Sequence, residues 1–333
     1  MNSVKCSMRW LAVAVAGALA MGTQVVSAAA YPEKPVEMVV AGSAGGGLDT
    51  VGRAIDTALR ETKLFPENFV IKNVGGAGGN VARSQVNLKK GDGHVLYVES
   101  NRIYVNRIVG TTKLTHRDVT PVARLITEYI AWVVRADSPY KTPKDVFDKL
   151  KQDTDSVVFG VGTVPSNDQM NILRPIMAAG IDPKKIKVVA FKSGGDLMIQ
   201  LLGGHVPVIS TGLSEAMEQV KAGKVRVIAV SAPNALPGEL AQVPTWRSMG
   251  IDVAILHWRG VFAPPGISPE VLAYWNKTFG QMVKTDAWKK QLALYGWFDA
   301  YADSATFAKD LDAEEKTYTE ILTELGMAKG LKK

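Results

Sequence analysis

Val36-Glu37-Met38-Val39-Val40-Ala41-Gly42-Ser43-Ala44-Gly45-Gly46-Gly47-Leu48-Asp49 is the stretch on which the fold turns. A short apolar run gives way to glycines. Val51, Ile55, Ala58 and Leu59 then follow at helical spacing. The same order recurs at once: an apolar run at 69–74, then Gly75-Gly76-Ala77-Gly78-Gly79, then a helical pattern over 80–90. A strand, a glycine turn and a helix start leave backbone N–H groups free to face a negative group. Used twice within about 35 residues, this arrangement suggests a pocket for a small anion.

The alternation continues, as α/β folds with mostly parallel sheets require. Residues 95–99 form a third expected strand, ending at Ser100-Asn101-Arg102. A second set begins near 130, with strands expected at 130–134, 157–161, 188–191, 206–210 and 224–230. Thr142-Pro143-Lys144-Asp145 is a helix start with proline in the first turn. Residues 255–263 are apolar again. A last helix over 304–325 carries Phe307, Leu311, Tyr318, Leu322 and Leu325 on one face. Extended crossings near 130 and 258 would join two βα halves.

Ahead of this pattern, residues 1–30 read as a secretory signal. Lys5 and Arg9 precede an uncharged run at 10–21 that is too short to span a bilayer. Cleavage is expected after Ala28 or Ala30. The chain's one cysteine, Cys6, lies inside that signal, so no disulfide, thiol nucleophile or thiolate metal site is expected. At 47% hydrophobic residues, the remainder is ample for two domains. The formal charge of +7 falls by two with the signal. Its basic residues are scattered, which favours attraction of small anions over nucleic-acid binding.

Several chemistries fail on spacing. Thr50 and Val81 stand where a dinucleotide fingerprint needs its third glycine, and Leu48 follows Gly47 where a phosphate loop needs lysine. His94, His116, His205 and His257 are far apart and lack metal-ligand spacing. Asp49 is placed to cap a helix or to meet a ligand hydroxyl, amide or water. Ser43 lies in a degenerate nucleophile elbow, so a serine hydrolase is one alternative. Arg102, Lys192 and Arg259, at expected strand ends, are candidates to pair a carboxylate. Trp132 and Trp258 fall in the crossings, where a core or hinge role is expected.

Tyr31-Pro32, Gly45-Gly46-Gly47 with Asp49, Gly76-Ala77-Gly78-Gly79-Asn80 and Asp92-Gly93-His94-Val95-Leu96 together resemble the Bug family. These are the periplasmic substrate-binding proteins of tripartite tricarboxylate transporters. The likeness continues through Leu201-Leu202-Gly203-Gly204-His205-Val206 and ends with Trp258-Arg259-Gly260-Val261-Phe262-Ala263-Pro264-Pro265-Gly266.

The resemblance implies a two-lobed type II periplasmic binding protein, a Venus flytrap. Lobe 1 would be 31–130 plus 258–333, and lobe 2 would be 131–257. It implies a monomeric, non-enzymatic receptor without cofactor or metal, which passes a small carboxylate to membrane transporter subunits. A sensory receptor for the same ligand is a further alternative. The implied lobe 1 contacts are Ser43, Ala44, Gly45, Asp49, Ala77, Gly78 and Ser100. Those of lobe 2 are Gly162, Thr163, Ser166, Lys192 and Thr211. Ala44, Leu48, Asn167-Asp168 and Pro207 depart from the family pattern, with ligand choice expected at Ala44 and Leu48.

Overall fold

The computed structural model describes residues 31–331, so the expected signal sequence lies outside the described residues. Three βα units come first: β1 (Val36–Val40) and α1 (Gly47–Thr62), β2 (Phe69–Asn73) and α2 (Asn80–Asn87), β3 (Val95–Glu99) and α3 (Arg102–Val109). The hydrophobic face of α1 buries Val51, Ile55, Ala58 and Leu59 against the sheet. β4 (Thr120–Thr127) then leads across to β5 (Ile130–Arg135).

The second set runs α4 (Pro143–Gln152), β6 (Val158–Val161), α5 (Asn167–Ala178), β7 (Lys187–Ala190), α6 (Gly194–Leu202), β8 (Val208–Gly212), α7 (Leu213–Lys221) and β9 (Val225–Val230). Thr142 and Asp145 form a reciprocal capping box around Pro143, fixing where α4 starts. The chain then returns with β10 (Arg259–Ala263), α8 (Pro269–Met282), α9 (Asp286–Tyr295), β11 (Phe298–Asp303) and α10 (Ser304–Glu324).

These strands make two sheets, each flanked by helices and each the floor of one lobe. The first has the order β11-β4-β10-β3-β1-β2, the second β7-β6-β8-β5-β9. Neither is mostly parallel, which corrects the expectation from the βα pattern. β1 pairs parallel with β2 and β3, and β6 with β7 and β8; the other pairs are antiparallel. Helical crossovers return strands parallel, whereas β10 and β11 in the first sheet and β5 in the second run against their neighbours.

The crossings lie side by side. Glu128 and His257 exchange backbone hydrogen bonds of 3.3 and 3.0 Å. The Ser231 hydroxyl accepts from Ile130 N–H and donates to the Ile255 carbonyl, both at 2.9 Å.

Trp132 and Trp258 are structural. Trp132 packs edge-on to Trp246 in the second lobe, and both indole N–H groups bond to Asn171. Trp258 donates to Glu314 on α10 at 2.6 Å, as does the Tyr104 hydroxyl at 2.7 Å. Glu314 thereby ties the C-terminal helix to α3 and to the return crossing.

Candidate functional site

The loops after β1, β3, β6 and β7 converge with the start of β10 on one cavity of ≈ 130 Å³. Ligands of open α/β sheets collect at such carboxyl ends. Arg259 begins β10 and does not end a strand. It reaches the cavity because β10 runs antiparallel to β3, pairing Gly260 with Glu99. At about 10–15 Å³ per water-sized occupant, the space suits a molecule of about ten heavy atoms.

Of the residues expected to touch a ligand, Ser43, Gly78, Ser100, Arg102, Gly162, Thr163, Ser166 and Lys192 line this cavity. Ala44, Gly45, Asp49, Ala77 and Thr211 do not, and each has a physical reason. Asp49 is turned inward, where it accepts from Gly45 N–H at 2.9 Å, Arg53 Nε at 3.0 Å and Asn73 Nδ2 at 3.0 Å. These bonds hold its carboxyl below the usual range against the opposing effect of burial. Ala44, Gly45 and Ala77 lie on the exposed outer side of the glycine turns. Thr211 is buried and donates its hydroxyl to Glu215. Leu48 is buried and lines the cavity, so of the two departures in the first loop only this one meets the site.

The two lobes bring opposite polarity to the cavity. On the first lobe, the starts of α1, α2 and α3 carry no side-chain cap. The α2 and α3 starts bring their partial positive charge to the cavity beside Arg102, whereas Gly47 N–H at the α1 start is held by Glu215 at 3.0 Å. On the second lobe, Ser166 and Ser193 cap α5 and α6 with bonds of 3.2 Å, so those helix starts are already served.

Gly79 shows why the second turn is glycine. Its φ is +92°, and a Cβ there would stand 2.6 Å from Glu99 Oε2. Glu99 is wholly buried between Arg83 and Arg102 and accepts from Tyr97 and Ser100. Gly79→Ala should therefore cost about 2–4 kcal/mol in urea unfolding, through left-handed strain and overpacking.

Sequence reasoning gave no ligand role to four lining side chains: Asp168, Glu215, His257 and Asn101. Burial pushes the Asp168 carboxyl up to about 8, helped by the nearby charges of Glu215 and Glu128 and opposed by Arg259 and Arg102. Burial, with Arg259 and Arg102, keeps His257 far below the ordinary imidazole range and neutral. Glu215 reaches across from α7 and accepts from Gly47 N–H at 3.0 Å. Asn101 donates to Asn167 of the second lobe. Asn167 also donates to the Leu256 carbonyl at 3.0 Å, and its Oδ1 accepts from Tyr318 at 2.5 Å. Asn167 thus joins both lobes and the C-terminal helix at one amide.

Four buried polar atoms around the cavity have no partner among the described residues: Asn101 Oδ1, Asp168 Oδ1, His257 Nδ1 and Arg259 Nε. Folded proteins leave few such atoms unpaired. Their clustering here marks the cavity as a polar binding site. Ser43 Oγ, by contrast, makes no hydrogen bond to a histidine or carboxylate among the described residues. His116, Asp312 and Glu315 are the described acidic and histidine side chains that approach metal-ligand spacing. Arg117 already pairs with both of those carboxylates, which supplies the cation locally.

A family model described as the tripartite tricarboxylate transporter family receptor matches residues 51–327. The chain belongs to this receptor family. A curated relative from Cupriavidus necator, a UPF0065 protein in the gbd 5′ region, is 25% identical over 96% of this chain and 95% of its own. A solved structure of MatC from Rhodopseudomonas palustris with bound malate shares the receptor fold at a TM-score of 0.77. It is 23% identical and covers 88% of this chain and 100% of its own. Another from R. palustris, with adipate, has a TM-score of 0.81 and 23% identity, covering 90% and 99%. This member of the receptor family is a solute-binding protein of the two-lobed α/β type. No helix among its described residues is long and apolar enough to cross a membrane.

Proposed function

We propose that this protein is a non-enzymatic periplasmic receptor that captures a small carboxylate and delivers it to the membrane subunits of a tripartite transporter. The observation that carries this reading is the meeting of two helix starts without side-chain caps, those of α2 and α3, at one small cavity with Arg102. Backbone N–H groups at helix starts and a nearby guanidinium suit a carboxylate. Two family-like solved structures hold malate and adipate, both small carboxylates. The expected signal at 1–30 supports export.

In this reading lobe 1 is 31–130 plus 258–333 and lobe 2 is 131–257, with the paired crossings at Glu128 and His257 as the hinge. Ser43, Gly78, Ser100 and Arg102 meet the ligand from lobe 1. Gly162, Thr163, Ser166 and Lys192 meet it from lobe 2. Closure buries the ligand and adds contacts that exist only in the shut form.

Two arms test the proposal. A panel of mono-, di- and tricarboxylates should contain at least one that raises the melting temperature. Cells lacking the gene should lose uptake of that compound and regain it with the wild-type copy. A panel without any thermal shift would overturn receptor function of this kind, and unchanged uptake would overturn delivery to a transporter.

A further inference from the structure

The cavity holds more carboxylate than an anion receptor needs. Glu215 comes from the first turn of α7 and places Oε1 on Gly47 N–H, at the start of α1, while Thr211 donates to Oε2. Gly194 leaves the room for it: a Cβ there would lie 2.3 Å from the Glu215 carboxyl. One helix start that a ligand carboxylate would use is thus already served by the protein's own.

Among the described residues, no cation pairs directly with this charge. Arg259 is committed to Glu128 at 3.0 Å and to the His257 and Trp258 carbonyls. Arg102 is committed to Glu99 and the Ala41 carbonyl. Among the described residues, neither Asp168 nor Glu215 has a cation within 4.0 Å. Asp168 Oδ1 is also buried without any hydrogen-bond donor. The α2 and α3 starts therefore face two carboxyl groups with no described cation within 4.0 Å, although Lys192 and Arg259 also line the cavity.

We propose that the ligand is an aminocarboxylate, with its carboxylate on the α2 and α3 starts of lobe 1 and its ammonium between Asp168 and Glu215. This rests on the receptor reading above and narrows its ligand class. A dicarboxylate would bring its second negative end against Glu215 and would keep Asp168 protonated, whereas an ammonium favours the ionised form of both. An ammonium there would donate to both and would supply the cation they lack. Burial lifts the Asp168 carboxyl, and an ammonium beside it would draw it back toward the ionised form; Glu215, Glu128, Arg259 and Arg102 are the charges that face it.

The test is titration calorimetry near pH 7.5 with α- and ω-amino monocarboxylates against dicarboxylates of equal carbon count. Succinate with 4-aminobutanoate and adipate with 6-aminohexanoate are included, as is adipate monoamide. The best aminocarboxylate should bind about tenfold or more tighter than its dicarboxylate partner. Asp168→Asn and Glu215→Gln should each shrink that ratio. Because both ligands are measured in the same variant, a general loss of affinity does not affect the readout. A dicarboxylate or the neutral monoamide binding as tightly, or a ratio unmoved in both variants, would overturn the inference and leave the receptor reading standing. Silence from every carboxylate would overturn both.

Discussion

Arg259→Met should lower stability by about 3–5 kcal/mol, the usual result of stripping a buried carboxylate of its cation. Arg259 is 4% exposed and Glu128 1%, and they meet at 3.0 Å. Glu128 also accepts from the Ser214 backbone at 3.1 Å and its hydroxyl at 2.7 Å, so it links the first crossing to α7. Its carboxyl is already pushed up by burial, with the Arg259 charge as the main opposing effect. Without that charge, folding would demand either a protonated Glu128 or a bare buried anion. A raised acid holds its proton in the folded state after the unfolded chain has released it. The loss in Arg259→Met should therefore be small near pH 4 and grow as pH rises. Urea unfolding across pH checks this, and adding Glu128→Gln should restore part of the loss. A penalty that is independent of pH, or not relieved by the second change, would mean that Arg259 acts through packing alone.

Asp168→Asn should act in the opposite direction. Burial pushes the Asp168 carboxyl of the folded protein up to about 8, against about 4 for an unfolded chain. Between those values the folded state binds a proton that the unfolded state has given up. The group therefore weakens folding progressively from about pH 4 to about pH 8. An amide of the same shape never ionises. The variant should match wild type near pH 4 and gain on it by about 1.4 kcal/mol for each pH unit, reaching several kcal/mol near pH 8. Melting curves of ligand-free protein across this range would show the two lines diverging. Parallel lines would mean that Asp168 is ionised throughout and already solvated.

Much of the frame was legible in the sequence. The glycine turns stand between an apolar run and a helical repeat, and β1 and β3 begin and end close to where those runs do. Thr142-Pro143 placed α4 because a capping box is a local device. Long-range placement was not legible. Glu215 follows Leu213-Ser214 as an ordinary first-turn acid, and nothing nearby in the chain reveals that Gly47 of the other lobe faces it. Asn167 and Asp168 stood out only as departures from a family pattern. Their roles, a tie between lobes and an unpaired acid, depend on partners at Asn101, Tyr318 and Glu215. Arg259 was expected at the end of a strand and instead begins β10, since strand bounds and direction are fixed by tertiary pairing. Asp49 read first as a helix cap and second as a ligand contact. Its bonds to Gly45 N–H, Arg53 and Asn73 instead tie the first glycine turn to α1 and β2.

The central claim is that backbone N–H groups of the glycine turns hold a carboxylate. Titration calorimetry of wild type and Gly78→Val, with the tightest carboxylate of the panel, tests it most directly. Gly78 lines the cavity at φ +64°, and a side chain there would point toward the Val164 carbonyl of the other lobe. The account predicts one-to-one binding by wild type and a loss of about a hundredfold or more in a variant that still folds. Affinity retained in Gly78→Val, or no heat from wild type with any carboxylate, would contradict it.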